Sequence, residues 1–577
     1  MKHANLSNKT AIDHLGRELP HAGDVQQKDE NKVVGLFYYL WHGYHGTNGP
    51  YDLTKILAAD PNAMENLDST EWPDYRNAPM MHWGEPLFGY YLSTDEWVLR
   101  RHVQMFIDAG IDVLYFDTTN GFTYRRSYLK LFDILTDLKK QGHNVPKVCF
   151  YLAPQTRGCG TGNMMDLWEQ LYEPGLYSDL WFYWKGKPLI ICHSERAIPD
   201  EIRNFFTWRA PTWNAPSRPN TWAWEGNPQK VATDEHGNPE QIAVSVCANQ
   251  CALPPNDPNH GSNMSDAHWG IPIYGRSFHD GARDERENAS HYGFFLQEQM
   301  DVALRENPPV AFLCQWNEWL VPFLTRYTVC APQYDYHGHD IVFRDEFSEE
   351  YSRDIEPMKG GYRDAYYLQM VSFCRKFKGM DAPAVDTQLH TIKIDRDFSQ
   401  WNTDAGILYT EYIGDCKARD HKAYDSIGKY VNTSGRNEFS HLAVASDDTN
   451  IYFFAETVLP ITPPNDDTWM TLFIRVPFSS APTWEGYHFA VRQGELQVCD
   501  KNGSYTWRTV KNVEWYYEDN HIHFSVPKTL LGIDEKCFTL EFKWSDNLQE
   551  NDVMDFYVNG DSAPRGRMNY IYTFGKK

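Results

Sequence analysis

The chain lacks several features that mark common functional classes. It has no apolar run near the roughly 20 residues that a membrane-spanning helix needs. It has 54 Lys and Arg against 78 Asp and Glu, and the net charge of −24 disfavours nucleic acid and anionic membranes as partners. It also has no GxSxG, no P-loop and no GxGxxG leading into a helix, which disfavours serine hydrolases, kinases and dinucleotide-binding enzymes.

Cysteine is too scattered to build a disulfide framework. The 11 cysteines are an odd number, and Cys149, Cys192, Cys247 and Cys314 lie inside apolar runs. Such positions are typical of buried thiols. Cys247 and Cys251 are four residues apart, but no second Cys or His pair follows at the spacing of a zinc site, so no zinc is expected.

The start of the chain also lacks the apolar segment of a secretion signal, since residues 1–30 are polar throughout. We therefore expect either a cytoplasmic protein or, if a leader was removed, a periplasmic or extracellular one.

Aromatic residues are abundant, at 15% of the 577 residues, with 20 Trp. A chain of this length predicts two to four domains. The tryptophans cluster beside Gly, Asn and Glu, and such clusters suit sugar rings, which offer an apolar face and a rim of hydroxyls. The clusters are Trp41-His42-Gly43, His82-Trp83-Gly84-Glu85, Trp222-Ala223-Trp224-Glu225 and Trp316-Asn317-Glu318-Trp319.

The first two thirds of the chain alternate between strand-like and helix-like segments. Helices are predicted at about 94–109, 124–141, 287–306 and 363–378. Eight strands in this order favour an α/β (β/α)8 barrel of the TIM type, with a doubly wound open sheet as the alternative. The predicted strands are 33–40, 111–116, 147–152, 189–192, 205–208, 221–224, 242–247 and 310–316.

The pattern changes after Lys378 to short alternating strands separated by turns, which predicts an all-β sandwich. The predicted divisions are a polar lead-in over 1–31, the barrel over 32–380 and the sandwich over 388–577. The sandwich strands are expected at 390–394, 440–445, 451–455, 521–525 and 538–542.

The most informative segment is the polar end of the last barrel strand. The apolar run 310–313 leads into Cys314-Gln315-Trp316-Asn317-Glu318-Trp319. Barrel enzymes place their catalytic residues at the carboxyl ends of strands. Glu318 is therefore a candidate catalytic carboxylate, with a buried Glu that bonds nearby backbone as the structural alternative.

Hydrolysis of a glycosidic bond uses two carboxyl groups. The candidates for the second are Asp117, Glu225, Asp354 and Glu356. Three of them have a structural alternative: an Asx turn for Asp117, a solvated loop for Glu225, and an ion pair with Arg353 or Arg363 for Glu356.

Aromatic, amide and imidazole groups in the same loops are the candidates for sugar binding. Loop histidines without HExxH-like spacing do not predict a metal site, and no cofactor is expected. The predicted substrate-binding residues are Trp41, His42, His82, Trp83, Asn120, Trp224, Asn317 and Trp319.

Several of these segments together resemble a known group of enzymes. Tyr38 to Gly43, Gly186 to Ile190 and Trp316 to Trp319 are similar to the barrels of glycoside hydrolase families 99 and 71 and their relatives in bacterial polysaccharide-utilisation systems. Family 99 enzymes are retaining endo-acting α-mannanases with two glutamates in Asn-Glu-Trp-x-Glu. The resemblance implies Glu318 as the first glutamate, but the second position holds Val321.

The same families often carry Ile-Glu-Pro or Leu-Glu-Pro shortly after this motif. Here Ile355-Glu356-Pro357 follows some thirty residues later. The intervening loop carries acids that could replace the missing glutamate, namely Asp345, Glu346, Glu349, Glu350 and Asp354.

The C-terminal region resembles family 9-like carbohydrate-binding sandwiches through segments 394–401 and 446–452. The resemblance implies that this region binds glycan, although 446–452 also fits a purely structural turn.

Together these patterns predict a glycoside hydrolase that cleaves α-linked bonds in a polysaccharide or oligosaccharide with two strand-end carboxylates. The alternatives are a non-catalytic glycan-binding protein on a degenerate barrel and a metal-dependent sugar-processing enzyme. The sequence leaves the oligomeric state open.

Overall fold

A computed structural model describes residues 1–152, 159–193, 198–328, 336–402, 404 and 406–575. Its central feature is a sheet of eight parallel strands, and each predicted strand is present in the predicted order. The strands are β1 (Val33–Tyr38), β2 (Val113–Thr118), β3 (Lys147–Leu152), β4 (Lys187–Ile191), β5 (Thr207–Thr212), β6 (Thr221–Ala223), β7 (Pro239–Ser245) and β8 (Val310–Cys314).

The eight strands form a nearly closed sheet. Each strand from β1 to β5 pairs in parallel with the next, and β8 pairs with both β7 and β1. No backbone ladder joins β6 to β7. Instead, the Gln241 side chain of β7 donates to Ala223 O of β6 (2.8 Å) and accepts from Ala223 N (3.1 Å). This sequential order excludes a doubly wound sheet, which reverses its strand order.

The central strands are buried on both faces, as the apolar runs in the sequence predict. Gly35 of β1 shows how tightly the interior is filled, because a Cβ at this position would lie 2.2 Å from the Tyr115 ring of β2.

Helices are fewer than in a regular eightfold barrel. Residues 213–220 and 224–238, which join β5 to β6 and β6 to β7, contain no helix. The predicted helices at 94–109, 124–141 and 363–378 are confirmed within two residues, whereas that at 287–306 starts later because 289–292 is a 3-10 turn. The helices are α1 (Leu53–Ala59), α2 (Glu96–Ala109), α3 (Arg125–Lys140), α4 (Cys159–Leu167), α5 (Asp200–Phe205), α6 (Phe294–Glu306), α7 (Ala365–Lys378) and α8 (Asp555–Val558).

Two further sheets follow in the C-terminal region and share one hydrophobic core. The first contains Lys2–His3 and then β9, β10, β11, β17 and β16; the second runs β15-β14-β13-β12-β18-β19, with β20 also paired to β18. Their strands are β9 (Ile407–Thr410), β10 (Phe439–Ser446), β11 (Asn450–Thr457), β12 (Thr471–Arg475), β13 (Phe489–Arg492), β14 (Glu495–Cys499), β15 (Trp507–Asn512), β16 (Glu514–Glu518), β17 (His521–Pro527), β18 (Phe538–Asp546), β19 (Asp561–Ala563) and β20 (Tyr570–Phe574).

Four of the five strands predicted for this region are confirmed, and the one at 390–394 is wrong. The Gln400 side chain bonds both the N–H (2.8 Å) and the carbonyl (3.0 Å) of Lys393, so a side chain takes the hydrogen bonds that a strand neighbour would make. The segment 446–452 is the turn between β10 and β11, where Asp447 accepts from Thr449 N and Asn450 N.

The polar lead-in lies against the rest of the chain. Lys2–His3 pairs in parallel with β9, and Thr10 forms a bridge with Asn569. The predicted boundaries near residues 31 and 380 stay predictions. Within the described residues no helix is long and apolar enough to cross a membrane.

Candidate active site

The segment after β8 makes a sharp turn that exposes two backbone donors to one carboxylate. Gln315 and Trp319 have positive φ angles of 103° and 49°. Asp354 accepts hydrogen bonds from Glu318 N (2.5 Å) and Trp319 N (3.0 Å), and the Trp83 indole donates to the same carboxylate (2.7 Å). Asp354 therefore holds the backbone of Glu318 in place.

The segment that contains Asp354 runs beside the β8 turn, although it lies some forty residues later. Ile355 N and Glu356 N both donate to Trp316 O, at 3.1 and 3.0 Å. The Ile355-Glu356-Pro357 motif and the Asn-Glu-Trp motif are therefore neighbours in the fold although they are far apart along the chain.

Asn317 fastens the same turn to the end of β1. Its side-chain oxygen accepts from Tyr39 N (2.9 Å), and its amide donates to Tyr91 Oη (3.1 Å). His42 Nε2 donates to Asn317 O (2.9 Å), and burial lowers the pKa of His42 to about 4, so the ring is neutral. Asn317 and His42 are fully buried and act on the backbone of the turn.

Glu318 faces a buried guanidinium. Its Oε2 lies 3.0 Å from Nη2 of Arg353, which has no exposed surface. The same Nη2 is 3.8 Å from Glu346 Oε1 and 3.9 Å from Asp345 Oδ1. The guanidinium also lies over the Trp224 ring, 4.4 Å from its centre. One cation thus serves three carboxyl groups.

Burial raises the pKa of several carboxyl groups at this end of the sheet. It raises the pKa of Glu318 to about 8, that of Glu225 to about 7 and that of Asp117 to about 6, because removal from water disfavours the charged form. Arg353 lowers the pKa of Glu318 and Glu225 but does not offset the burial. The carboxyl groups therefore differ in protonation at neutral pH.

Glu225 lies after β6, next to Trp224 and the Arg353 guanidinium. It is 3% exposed, and its Oε2 has no hydrogen-bond partner within the described residues. The free oxygen distinguishes Glu225 from the fully occupied carboxylates nearby. Trp224 is buried, and the half-exposed Trp213 packs edge-on against it.

Asp117 is the second residue from the end of β2 and is 2% exposed. Its Oδ1 accepts from Thr119 N (2.9 Å), which is the predicted Asx turn. Asn120, a predicted sugar contact, is exposed three residues after Asp117.

Glu356 has both oxygens occupied by internal donors. Its Oε2 accepts from Tyr91 Oη (2.8 Å) and the Trp319 indole (2.7 Å), and its Oε1 accepts from His102 Nε2 (2.8 Å). It has no exposed surface, and neither has Asp354. These two predicted carboxylates lie behind Glu318 and support its turn. In place of the ion pair with Arg353 or Arg363 that was the structural alternative, Glu356 has a hydrogen bond with His102.

The predicted aromatic contacts lie mainly inside the molecule. Trp83 and Trp319 stack on each other with ring centres 4.7 Å apart and are fully buried. Trp41 donates to Glu318 O (3.2 Å). His82 is buried without a hydrogen-bond partner among the described residues, and desolvation holds its pKa well below the usual range. In this structure these side chains support the turn and offer no open ring face.

Sequence reasoning did not identify Arg353 as the centre of the site. It appeared only as a possible ion-pair partner of Glu356. The sequence signal was the density of acids at 345–356, since buried carboxyl groups in such number need a cation. Residues 153–158, 194–197 and 329–335, which include loops after β3 and β4, lie outside the described residues.

The loop histidines do not come together. His45 contacts Tyr124, His268 contacts Glu65 and His279 contacts Asp284. Within the described part of the chain, one group of side chains is close enough to hold a metal ion, and it lies in the C-terminal region (Asp415, Cys416 and Glu438).

Comparisons with known proteins found likeness only among solved structures. No protein-family model and no curated protein matches the chain. Two structures of the GH99 endo-alpha-mannosidase from Bacteroides thetaiotaomicron are 17% and 18% identical, cover 61% and 60% of this chain and 98% and 97% of theirs, and have TM-scores of 0.31. A carbohydrate binding module of family 9 from Caldicellulosiruptor kristjanssonii, in complex with glucose, is 11% identical, covers 33% of this chain and 95% of its own, and has a TM-score of 0.19. Likeness at this level assigns neither a family nor an activity to the chain.

Proposed function

We propose that the protein is a glycoside hydrolase, with Glu318 as proton donor at the carboxyl end of a (β/α)8-type barrel with reduced helices. One observation carries the proposal: buried carboxyl groups with different proton affinities lie at one edge of a parallel sheet. Glycosidic hydrolysis needs one carboxyl that keeps its proton and one that has lost it.

Glu318 suits the role of acid because its pKa of about 8 leaves it protonated at neutral pH. When it gives its proton to the glycosidic oxygen, the bond from that oxygen to the anomeric carbon breaks and Glu318 becomes a carboxylate. Arg353 Nη2, 3.0 Å away, then offsets the new charge.

The partner carboxylate is proposed to be Asp117 or Glu225. Asp117 is more than half ionised at neutral pH, and Glu225 has a free buried oxygen. Either would take the proton of the attacking water or bond the anomeric carbon directly. Asp354 and Glu356 are proposed as supports, since internal donors occupy their oxygens.

The substrate is proposed to be an α-linked polysaccharide or oligosaccharide, and a glycan-release assay tests this. Wild type, Glu318→Gln, Asp117→Asn and Glu225→Gln are incubated with a panel of α-linked plant, fungal and host glycans, and new sugar ends are quantified. Removing a general acid costs about 10²- to 10⁴-fold in rate. We expect such a loss for Glu318→Gln, and for one of the other two variants.

The control is Glu201→Gln, which removes an exposed carboxylate at the start of α5 and should leave release unchanged. Full activity of Glu318→Gln on a substrate that the wild type cleaves would refute the proposal.

A non-catalytic glycan-binding protein is the second candidate, and one observation favours it. Val321, which stands where the resemblance requires a second glutamate, has no exposed surface. Tight binding of a glycan by the wild type, without release of sugar ends from it, would support this candidate.

A further inference from the structure

Glu346 is a buried carboxyl group that shares the Arg353 guanidinium with Glu318, and the proposed chemistry does not use it directly. It has no exposed surface, so it cannot touch a substrate. Its Oε1 accepts from the Gln315 amide. Arg353 N donates to both of its oxygens, at 3.1 Å to Oε2 and 3.3 Å to Oε1. It is thus fixed against the same residue that pairs with Glu318.

Glu318 and Glu346 lie on one guanidinium nitrogen. Arg353 Nη2 is 3.0 Å from Glu318 Oε2 and 3.8 Å from Glu346 Oε1, so the two carboxyl groups lie side by side on one cation. Two ionised carboxylates repel each other at such a site, and a proton on one of them removes that repulsion while the other keeps the cation.

The charge balance points the same way. If both were ionised, two buried negative charges would face one buried cation, with the partly exposed Asp345 adding a third. One proton shared between the two glutamates gives the buried group of three no net charge. The other ionisable groups that act on Glu318 are Asp345, Asp354, Cys314 and Tyr39.

We propose that Glu346 is a positioning residue that shares one proton with Glu318 across Arg353 and so keeps Glu318 ready to donate. The proposal rests on the proposed function for its purpose, but the shared proton exists without any substrate. Gln315 orients Glu346, since its amide donates to Glu346 while its oxygen accepts from Arg353 Nε (3.1 Å). Burial and the neighbouring acids raise the pKa of Glu346 well above its usual range, in keeping with a proton held by the pair.

The test needs no substrate. Infrared spectra of protein with ¹³C-labelled glutamate are recorded at pH 7 for wild type, Glu318→Gln and Glu346→Gln. Glu225, with a pKa of about 7, contributes to the protonated glutamic acid band of every variant. The wild-type band should exceed that of Glu318→Gln by the one shared proton. In Glu346→Gln, Glu318 faces Arg353 without the buried competitor, so its pKa should fall by at least one unit, which is tenfold in the protonated fraction.

Asp345→Asn is the matched control, because Asp345 lies at a similar distance from Nη2 but is partly exposed and screened by water. It should shift the band by less than Glu346→Gln. Bands of equal intensity in wild type and Glu318→Gln at pH 7 overturn the proposal even if Glu346→Gln does not fold. An unchanged Glu318 titration in folded Glu346→Gln also overturns it.

Once a substrate is known, the alkaline limb of the rate profile gives a second readout. Glu346→Gln should move it about one pH unit or more toward acid, whereas a merely structural role would lower the rate at every pH. A shared proton without glycan release would leave this inference standing and refute the proposed function.

Discussion

At the scale of single residues, the site is built around uncompensated carboxyl burial. Glu318 is 4% exposed and bonds one buried arginine that is shared with two other acids. Burying a charge without a full partner costs free energy, so the carboxyl keeps its proton instead. The same burial that keeps Glu318 protonated at neutral pH therefore lowers the stability of the fold at high pH.

The pH dependence of stability follows from this cost. Glu318 has a pKa of about 8 in the folded chain against 4.5 for an unperturbed glutamate, so the folded state binds the extra proton between these values. The free energy of unfolding should thus fall as pH rises from about 4.5 to 8.

Glu318→Gln should lose the part of this fall in unfolding free energy that Glu318 contributes. Relative to wild type, the variant should gain on the order of 2–4 kcal/mol in unfolding free energy between pH 5 and 8. Denaturant unfolding at a series of pH values measures this, with Glu201→Gln as the exposed control. Parallel pH curves for wild type and Glu318→Gln would show that Glu318 is ionised when folded.

At the scale of elements, the sheet depends on one side chain for its closure. Seven of the eight neighbouring strand pairs have backbone pairing, but between β6 and β7 the Gln241 amide bonds both backbone groups of Ala223. β6 is only three residues long, so it has little backbone with which to form a ladder. Glu318 and Glu225 lie after β8 and β6, on either side of β7, so the distance between them depends on the contact between β6 and β7.

Gln241→Leu should weaken the contact between β6 and β7. The change leaves a buried N–H and a buried C=O of Ala223 unpaired, at about 1–3 kcal/mol each. We expect an unfolding free energy lower by about 2–4 kcal/mol and faster hydrogen exchange in β6 and β7.

Gln388→Leu is the control, since Gln388 is exposed and outside every strand. It should change stability by less than about 0.5 kcal/mol. A Gln241→Leu variant as stable as this control would mean that β6 and β7 do not depend on the side-chain bridge.

At the scale of the whole molecule, the first twelve residues join the barrel to the C-terminal sheets. Lys9 is 1% exposed, and its Nζ lies 2.6 Å from Asp108 of α2 and over the rings of Tyr412 and Tyr570. Arg375 of α7 donates to Lys9 O (2.6 Å). The lead-in is thus part of the packed structure and links elements that are hundreds of residues apart.

Lys9→Met should weaken both regions at once. It leaves the buried Asp108 carboxylate without its cation, and breaking a buried ion pair costs about 3–5 kcal/mol. We expect a lower melting temperature and faster hydrogen exchange in both α2 and β20. The double variant Lys9→Met/Asp108→Asn should recover part of the loss.

Lys28→Met supplies the comparison, because Lys28 pairs with Glu30 at the surface and such pairs contribute at most about 1 kcal/mol. An effect of Lys9→Met that is confined to one region, or no larger than that of Lys28→Met, would show that the lead-in does not couple them.

The sequence by itself determined the order of the eight strands of the parallel sheet, four of the eight described helices and four of the twelve later strands, because apolar runs, helix caps and two-residue alternation are local signals. It also singled out Glu318 as a candidate, since a carboxylate after a buried strand is visible along the chain, and the catalytic role of Glu318 stays a prediction. It did not reveal that the backbone of Lys393 would bond the Gln400 side chain instead of a neighbouring strand, because that outcome depends on a competing side chain.

Only the tertiary structure decided how the acids are distributed around the site. It brought the segment 345–356 back onto the β8 turn and placed Arg353 among three carboxyl groups. It occupied the oxygens of Asp354 and Glu356 with internal donors and left an oxygen of Glu225 free. Proton affinity depends on burial and on charges within a few ångströms, and neither is fixed by spacing along the chain.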